Sequence, residues 1–177
     1  MNKNWIVGNS KLILPTLDKS SVDLIITDPP YNLERNLQRF YHREFCRICK
    51  GSILVFCSPE NQWKFSGVKY LFWIKPTSTK NYSKNYGRFV EMICYYPRNG
   101  VWNKDLLWAN YTGVYTDYVI GRTEHPHEKP ESLIERFINI HSNPGDIILD
   151  PFAGSGTVAR VAERLGRKTI SIECQDW

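Results

Sequence analysis

Asp28-Pro29-Pro30-Tyr31 combines residue types suited to gripping a flat amine. The Asp28 carboxylate accepts hydrogen bonds, the Pro29 carbonyl offers a second acceptor on a stiff Pro-Pro unit, and Tyr31 presents an aromatic face for stacking. An aromatic amine is a poor nucleophile because its lone pair is delocalised into the ring. Acceptors for both amine protons favour a pyramidal nitrogen with a localised pair. A second constellation lies far downstream, Asp150-Pro151-Phe152-Ala153-Gly154-Ser155-Gly156-Thr157. Its glycines let the backbone come close to a ligand, and the helix that follows directs free N–H groups toward it. No Gly-Lys-Ser/Thr follows, which excludes a P-loop, and Ala159 stands where a dinucleotide loop has its third glycine. Glu173 offers a carboxylate to ribose hydroxyls. A small-molecule site beside an amine-gripping site points to group transfer onto an amino group.

These residues need strands to place them. Val22 to Ile26 reads as a buried parallel strand that delivers Asp28, and Ile147 to Leu149 as one that delivers the glycine loop. Further strands are expected at Trp5–Val7, Ser52–Cys57, Tyr70–Lys75, Arg88–Tyr96 and Lys168–Glu173. Lys11 to Leu17 reads as a helical turn, and Asn36–Lys50, Pro130–Ile140 and Gly156–Leu165 as helices; another is expected to start at Ser58-Pro59-Glu60. The alternation predicts a doubly wound α/β domain, whose strand ends meet in one crevice where strand order reverses.

The pair of motifs, in this order and on these strands, resembles the S-adenosylmethionine-dependent DNA methyltransferases that modify exocyclic amines, and their order resembles the beta group. The resemblance implies a mainly parallel sheet of seven strands with one antiparallel, in circularly permuted motif order. It implies that Asp28, Pro29, Pro30 and Tyr31 form the catalytic site, with the target base flipped out of the duplex. S-adenosylmethionine is the implied cofactor, held by Asp28, Asp150, Phe152, Ala153, Gly154, Ser155, Gly156 and Thr157, with Glu173 on the ribose. His125-Pro126-His127-Glu128-Lys129-Pro130 resembles the family segment placed near the methionine end, which puts His125 and Lys129 there. Gly8-Asn9 stands where the family often has Gly-Asp beside the adenine; Asn still accepts a hydrogen bond but brings no charge. The chain stops at Trp177, where relatives continue into a helix, so one flank of the pocket is open or the chain is truncated.

Charge supports a nucleic-acid partner. The net charge is +5, and Lys64 to Lys104 holds eight cations against a single acid, Glu91. Aromatic residues crowd the same stretch, which suits phosphate attraction with base stacking. Lys75, Lys80, Lys84 and Arg88 are the expected DNA contacts. Residues 1–177 read as one catalytic domain with 98–124 as a short target-recognition-like insertion. DNA reading then falls to the Thr77–Gly87 loop and 98–124, with a short or relaxed recognition site.

Asp-Pro-Pro-Tyr followed by Asn32 implies adenine N6 as the target; cytosine N4, an RNA adenine and a catalytically silent binding subunit are the alternatives. A homodimer and a cognate restriction endonuclease are the further partners the group suggests. The five cysteines, Cys46, Cys49, Cys57, Cys94 and Cys174, form no disulfide pattern, and the lone Cys46-x-x-Cys49 lacks the second ligand pair of a structural zinc site. Reduced thiols and no metal are expected. No apolar run approaches a membrane span, and Met1–Trp5 lacks a signal-peptide core, so the expected location is the cytoplasm.

Overall fold

The computed structural model describes residues 3–75, 90–104, 113–117 and 128–174. One sheet of eight strands organises them, in the order β1-β8-β7-β2-β3-β5-β4-β6. The strands are β1 (Lys3–Val7), β2 (Leu24–Thr27), β3 (Ile53–Cys57), β4 (Lys69–Ile74), β5 (Val90–Tyr96), β6 (Val114–Tyr115), β7 (Ile147–Asp150) and β8 (Lys168–Glu173). β5 runs antiparallel to both neighbours, β3 and β4, and every other pair is parallel. The seven strands suggested by resemblance thus become eight. The additional one, β6, is two residues long and pairs Phe72 with Val114. So short a segment carries no periodicity a sequence could reveal.

The central strands are continuous apolar runs because both faces are covered. Leu24, Ile25 and Ile26 are fully buried, as are Leu54 and Val55. Ile25 and Val55 face a layer built on α1 (Ser10–Ile13) and α2 (Arg35–Ile48), whose Tyr41, Phe45 and Ile48 lie on one helical face. Leu24, Ile26 and Leu54 face the opposite layer, built on α3 (Glu131–His141) and α4 (Thr157–Arg164) through Leu133, Phe137 and Val161. Each such side chain contributes roughly 1.5–3 kcal/mol when fully buried. The sheet is therefore doubly wound, as the alternation predicts. The helix expected from Ser58 is a single 3-10 turn, Pro59–Asn61, closed by the Ser58 hydroxyl on the Asn61 N–H and left by an extended Gln62.

The chain leaves β2 through α2 on one face and β7 through α4 on the other, while β2 and β7 are neighbours. Their carboxyl ends therefore diverge and open a crevice between them. Among the described residues, no helix is long and apolar enough to cross a membrane.

Candidate active site

The crevice holds a cleft lined by Thr27 and Asp28 from the end of β2, Phe56 from β3, and Asp150 with the glycine loop from β7. Glu128 and Lys129, just ahead of α3, form a further wall. Asp28 of the first predicted constellation thus meets most of the second in one cavity, whereas Pro29, Pro30 and Tyr31 are not among its lining residues.

The two strand ends are tied together. The Thr27 hydroxyl donates to Asp150 Oδ1 at 2.9 Å, and the Phe152 N–H donates to the same oxygen at 3.1 Å. Burial pushes the Asp150 carboxyl up to about 7, against the pull of those two donors. Asp150 thus fixes the turn that starts the glycine loop. Gly156 then takes a left-handed φ of +77°, and a Cβ there would stand 3.2 Å from the Trp5 ring. At Gly154, φ is +51° and a Cβ would meet nothing within 4 Å, so the loop borders open space.

Glu173, at the end of β8, braces this loop. Its Oε2 accepts the Gly154 N–H at 2.7 Å, and Oε1 accepts the Cys174 N–H at 2.8 Å. Gly8 lies alongside, its N–H donating to the Glu173 carbonyl at 2.7 Å, and the Asn9 side chain caps α1 through the Lys11 N–H. Gly8, Asn9 and Glu173 therefore gather at adjacent strand ends beside the loop. Ser155 and Thr157 share a hydroxyl contact of 3.2 Å, and Thr157 donates to Glu128, which also pairs with Arg160.

Asp28 sits in a different environment. Its Oδ2 pairs with Lys129 Nζ at 2.5 Å, and its Oδ1 is buried with no hydrogen-bond partner among the described residues. Lys129 also reaches Glu91 at 3.2 Å, and Glu91 in turn accepts the Tyr31 hydroxyl at 2.8 Å and pairs with Lys75. Burial raises the Asp28 carboxyl above its usual range; Lys129 opposes the shift and the Glu91 charge adds to it. Burial also disfavours the charged forms of Lys129 and Glu91, but their mutual attraction, with Asp28 and Lys75, keeps Lys129 raised and Glu91 lowered. Tyr31 is pushed well up by burial and then by Asp28 and Glu91, so its hydroxyl remains a donor. The Pro30 carbonyl accepts from the Leu33 N–H at 3.2 Å, whereas the Pro29 carbonyl takes no hydrogen bond among the described residues.

Asp28, Lys129, Asp150, Phe152, Ala153, Gly154, Ser155 and Thr157 line one cleft. His125, Lys80, Lys84 and Arg88 lie outside the described residues. The Lys75 ammonium pairs with Glu91 and stands 5.1 Å over the Trp73 ring. In the sequence reading Thr27 has no place in the site, Glu91 falls where the resembled family has its later motifs, Glu128 lies within the segment ahead of α3, and none of the three is given a role. For Glu91 a signal existed, as the one acid in a basic stretch. Among the described residues, no group of three or more potential ligands could hold a metal ion, and all five cysteines are free thiols.

Comparison with known proteins agrees with this architecture. The chain is 29% identical over 222 residues to the type II methyltransferase M.HpaI of Haemophilus parainfluenzae, covering 98% of this chain and 70% of that protein. It is 31% identical over 229 residues to the DNA adenine methyltransferase YhdJ of Escherichia coli (strain K12), covering 97% and 78%. Among solved structures, the M1.HpyAVI–SAM complex superposes with a TM-score of 0.73 at 28% identity, over 97% of this chain and 94% of that one. The cytosine-N4-specific PvuII DNA methyltransferase shares the fold, with a TM-score of 0.76 at 18% identity over 98% of this chain and 84% of that one. The DNA methylase family of the N6/N4 type matches residues 39–176, and the protein belongs to that family.

Proposed function

We infer that the protein transfers the methyl group of S-adenosylmethionine to the exocyclic N6 of adenine in DNA. The observation that carries this reading is the placement of Asp28, with one carboxylate oxygen unmatched, in the same cleft as the glycine loop. A buried acceptor without a donor is costly and asks for a partner that arrives with the substrate.

The cleft suits the cofactor. Open space faces Gly154, Phe152 and Val158 give apolar surface, and the Ser155 and Thr157 hydroxyls give polar edges. When bound, S-adenosylmethionine supplies an electrophilic methyl group. Asp150, Phe152, Ala153, Gly154, Ser155, Gly156 and Thr157 would hold it, with Gly8, Asn9 and Glu173 toward the nucleoside. Asp28 Oδ1 and the Pro29 carbonyl would accept the two amine protons and localise the nitrogen lone pair. The rigid Pro29-Pro30 unit aims both acceptors, so orientation supplies a large part of the rate. The target amine is inaccessible inside a duplex, so the base must be flipped, at a cost of a few kcal/mol.

The relative named as a DNA adenine methyltransferase, at 31% identity, supports the choice of base, as does Asn32 after Tyr31. We take residues 1–177 as one catalytic domain with 98–124 as its short recognition insertion. Two facts favour this. β1 and β8, from opposite ends of the chain, pair in the same sheet. Alignments of 222 and 229 positions exceed the 177 residues present, so the relatives hold segments without a counterpart here. DNA is the partner; cytoplasmic residence, a homodimer and a cognate endonuclease are the group's further implications.

Labelled methyl transfer to unmethylated genomic DNA tests the reading. The wild type should label DNA, and Asp28→Ala should lose transfer by 10²-fold or more, about the lower end of what a positioned proton acceptor supplies, while binding the cofactor as before. Equal activity in Asp28→Ala removes Asp28 from the mechanism. Cofactor binding without transfer by the wild type makes this a silent subunit instead.

A further inference from the structure

We infer that Glu91 is a positioning residue of the amine-accepting site: it shares the Lys129 ammonium with Asp28 and fixes the Tyr31 hydroxyl, and so leaves Asp28 basic with Oδ1 unmatched. The inference rests on Asp28 being the acceptor proposed above.

The topology explains why Glu91 is there at all. The cleft lies at the carboxyl ends of the parallel strands. β5 is antiparallel, so its beginning, not its end, lies at that edge, with Glu91 opposite Trp73. The residue is only 9% exposed, a depth at which a carboxylate requires partners. It has them on both oxygens. Oε1 pairs with Lys75, and Oε2 takes the Tyr31 hydroxyl at 2.8 Å and Lys129 at 3.2 Å. Asp28, Glu91, Lys75 and Lys129 thus form a chain of two anions and two cations around Tyr31.

In the transfer step the amine nitrogen forms its bond to the methyl carbon as the sulfur–carbon bond breaks, and the thioether departs neutral. The nitrogen sheds one proton, and Asp28 Oδ1 is the base that takes it. Lys129 beside Oδ2 weakens that base. Glu91 restores it in two ways, by drawing the ammonium partly away and by adding a negative charge nearby. Without Glu91, Lys129 keeps Asp28, at 2.5 Å, as its nearest carboxylate among the described residues. Among the described residues, the charged and titratable groups facing Asp28 are Lys129 ahead of α3, Glu91 on β5 and Tyr31 on its own loop, with Asp150 on β7 and Cys57 on β3 beyond them.

The test is the pH dependence of kcat in Glu91→Gln. Glutamine retains an oxygen for the Tyr31 hydroxyl but no charge, so the ring keeps its place. Removing a negative neighbour lowers the proton affinity of Asp28. The acid limb of the kcat profile should move to lower pH, and kcat at neutral pH should fall about 10-fold, the equivalent of one pKa unit. KM for DNA should stay within about threefold. Glu91→Asp keeps the charge, and its acid limb should remain at the wild-type position with a reduced kcat. An unmoved acid limb in Glu91→Gln, or a loss confined to KM, overturns the inference and leaves Glu91 a strand-packing or DNA-holding residue. If Glu91→Gln fails to bind the cofactor, Glu91→Asp decides alone: reduced kcat with an unmoved limb supports the inference, and wild-type kcat overturns it. An inactive wild type would instead sink the reading of the site itself, which separates the two failures.

Discussion

Asp28 and Asp150 both precede a proline at the carboxyl ends of neighbouring parallel strands, and both have their carboxyls pushed up by burial. Their partners differ. Asp150 receives two neutral donors, one from its own turn and one from β2, and it is locked. Asp28 is held by an ammonium that a second carboxylate also claims, and among the described residues one of its oxygens has no donor. The same dipeptide therefore builds a rigid corner on one strand and a carboxylate with an unmatched oxygen, the proposed acceptor, on the next. Neutral donors committed to one carboxylate make structure; a charged partner shared with Glu91 can be redistributed.

The comparison can be broken at each site. Removing Asp28 should cost transfer and little else, as set out above. Asp150→Ala should instead cost stability, because it leaves the Thr27 hydroxyl and the Phe152 N–H without their acceptor. About 1–3 kcal/mol is expected by denaturant titration, with weaker cofactor binding. A variant with normal stability and cofactor affinity but no transfer would make Asp150 catalytic and dissolve the contrast.

A sharper form uses pH. The folded-state pKa of Asp150, about 7, lies above its ordinary value of 3.8, so the folded chain binds the proton more tightly than the unfolded one. The stability this provides is complete below about pH 4 and is lost as pH rises to about 7. Asp150→Asn should remove that slope, read as the difference between variant and wild-type denaturation curves across this range. Identical slopes would deny Asp150 its raised affinity for the proton.

The smallest effect is expected at Gly156. Alanine there meets a left-handed backbone and a Trp5 ring 3.2 Å from the new Cβ. A loss of about 1–2 kcal/mol should follow, with a change in Trp5 fluorescence. Unchanged stability would mean that the ring yields at no cost.

The parts legible in sequence are those written in contiguous residues. β2, β3 and β7 announce themselves because strands covered on both faces read as near-continuous apolar runs. The two Asp-Pro motifs announce the cleft because each sits at the end of such a strand. Glu91 could not be assigned in the same way. Its membership of the site depends on β5 running antiparallel between β3 and β4, a matter of register across the sheet. The Thr27 to Asp150 bond joins residues 123 positions apart and needs the β2–β7 pairing before it can be drawn. Lys75 illustrates the converse. Its place in a basic stretch suggests phosphate, but its ammonium is turned to Glu91 once the strands are paired.

The central claim is that the acceptor is the amine of a DNA adenine. The most direct measurement is mass spectrometry of nucleosides from unmethylated genomic DNA after incubation with S-adenosylmethionine and the wild-type protein. N6-methyladenine, lost with Asp28→Ala, is the predicted result. N4-methylcytosine in its place would contradict the choice of base while keeping the chemistry, and methylated adenine arising only in RNA would contradict the choice of substrate.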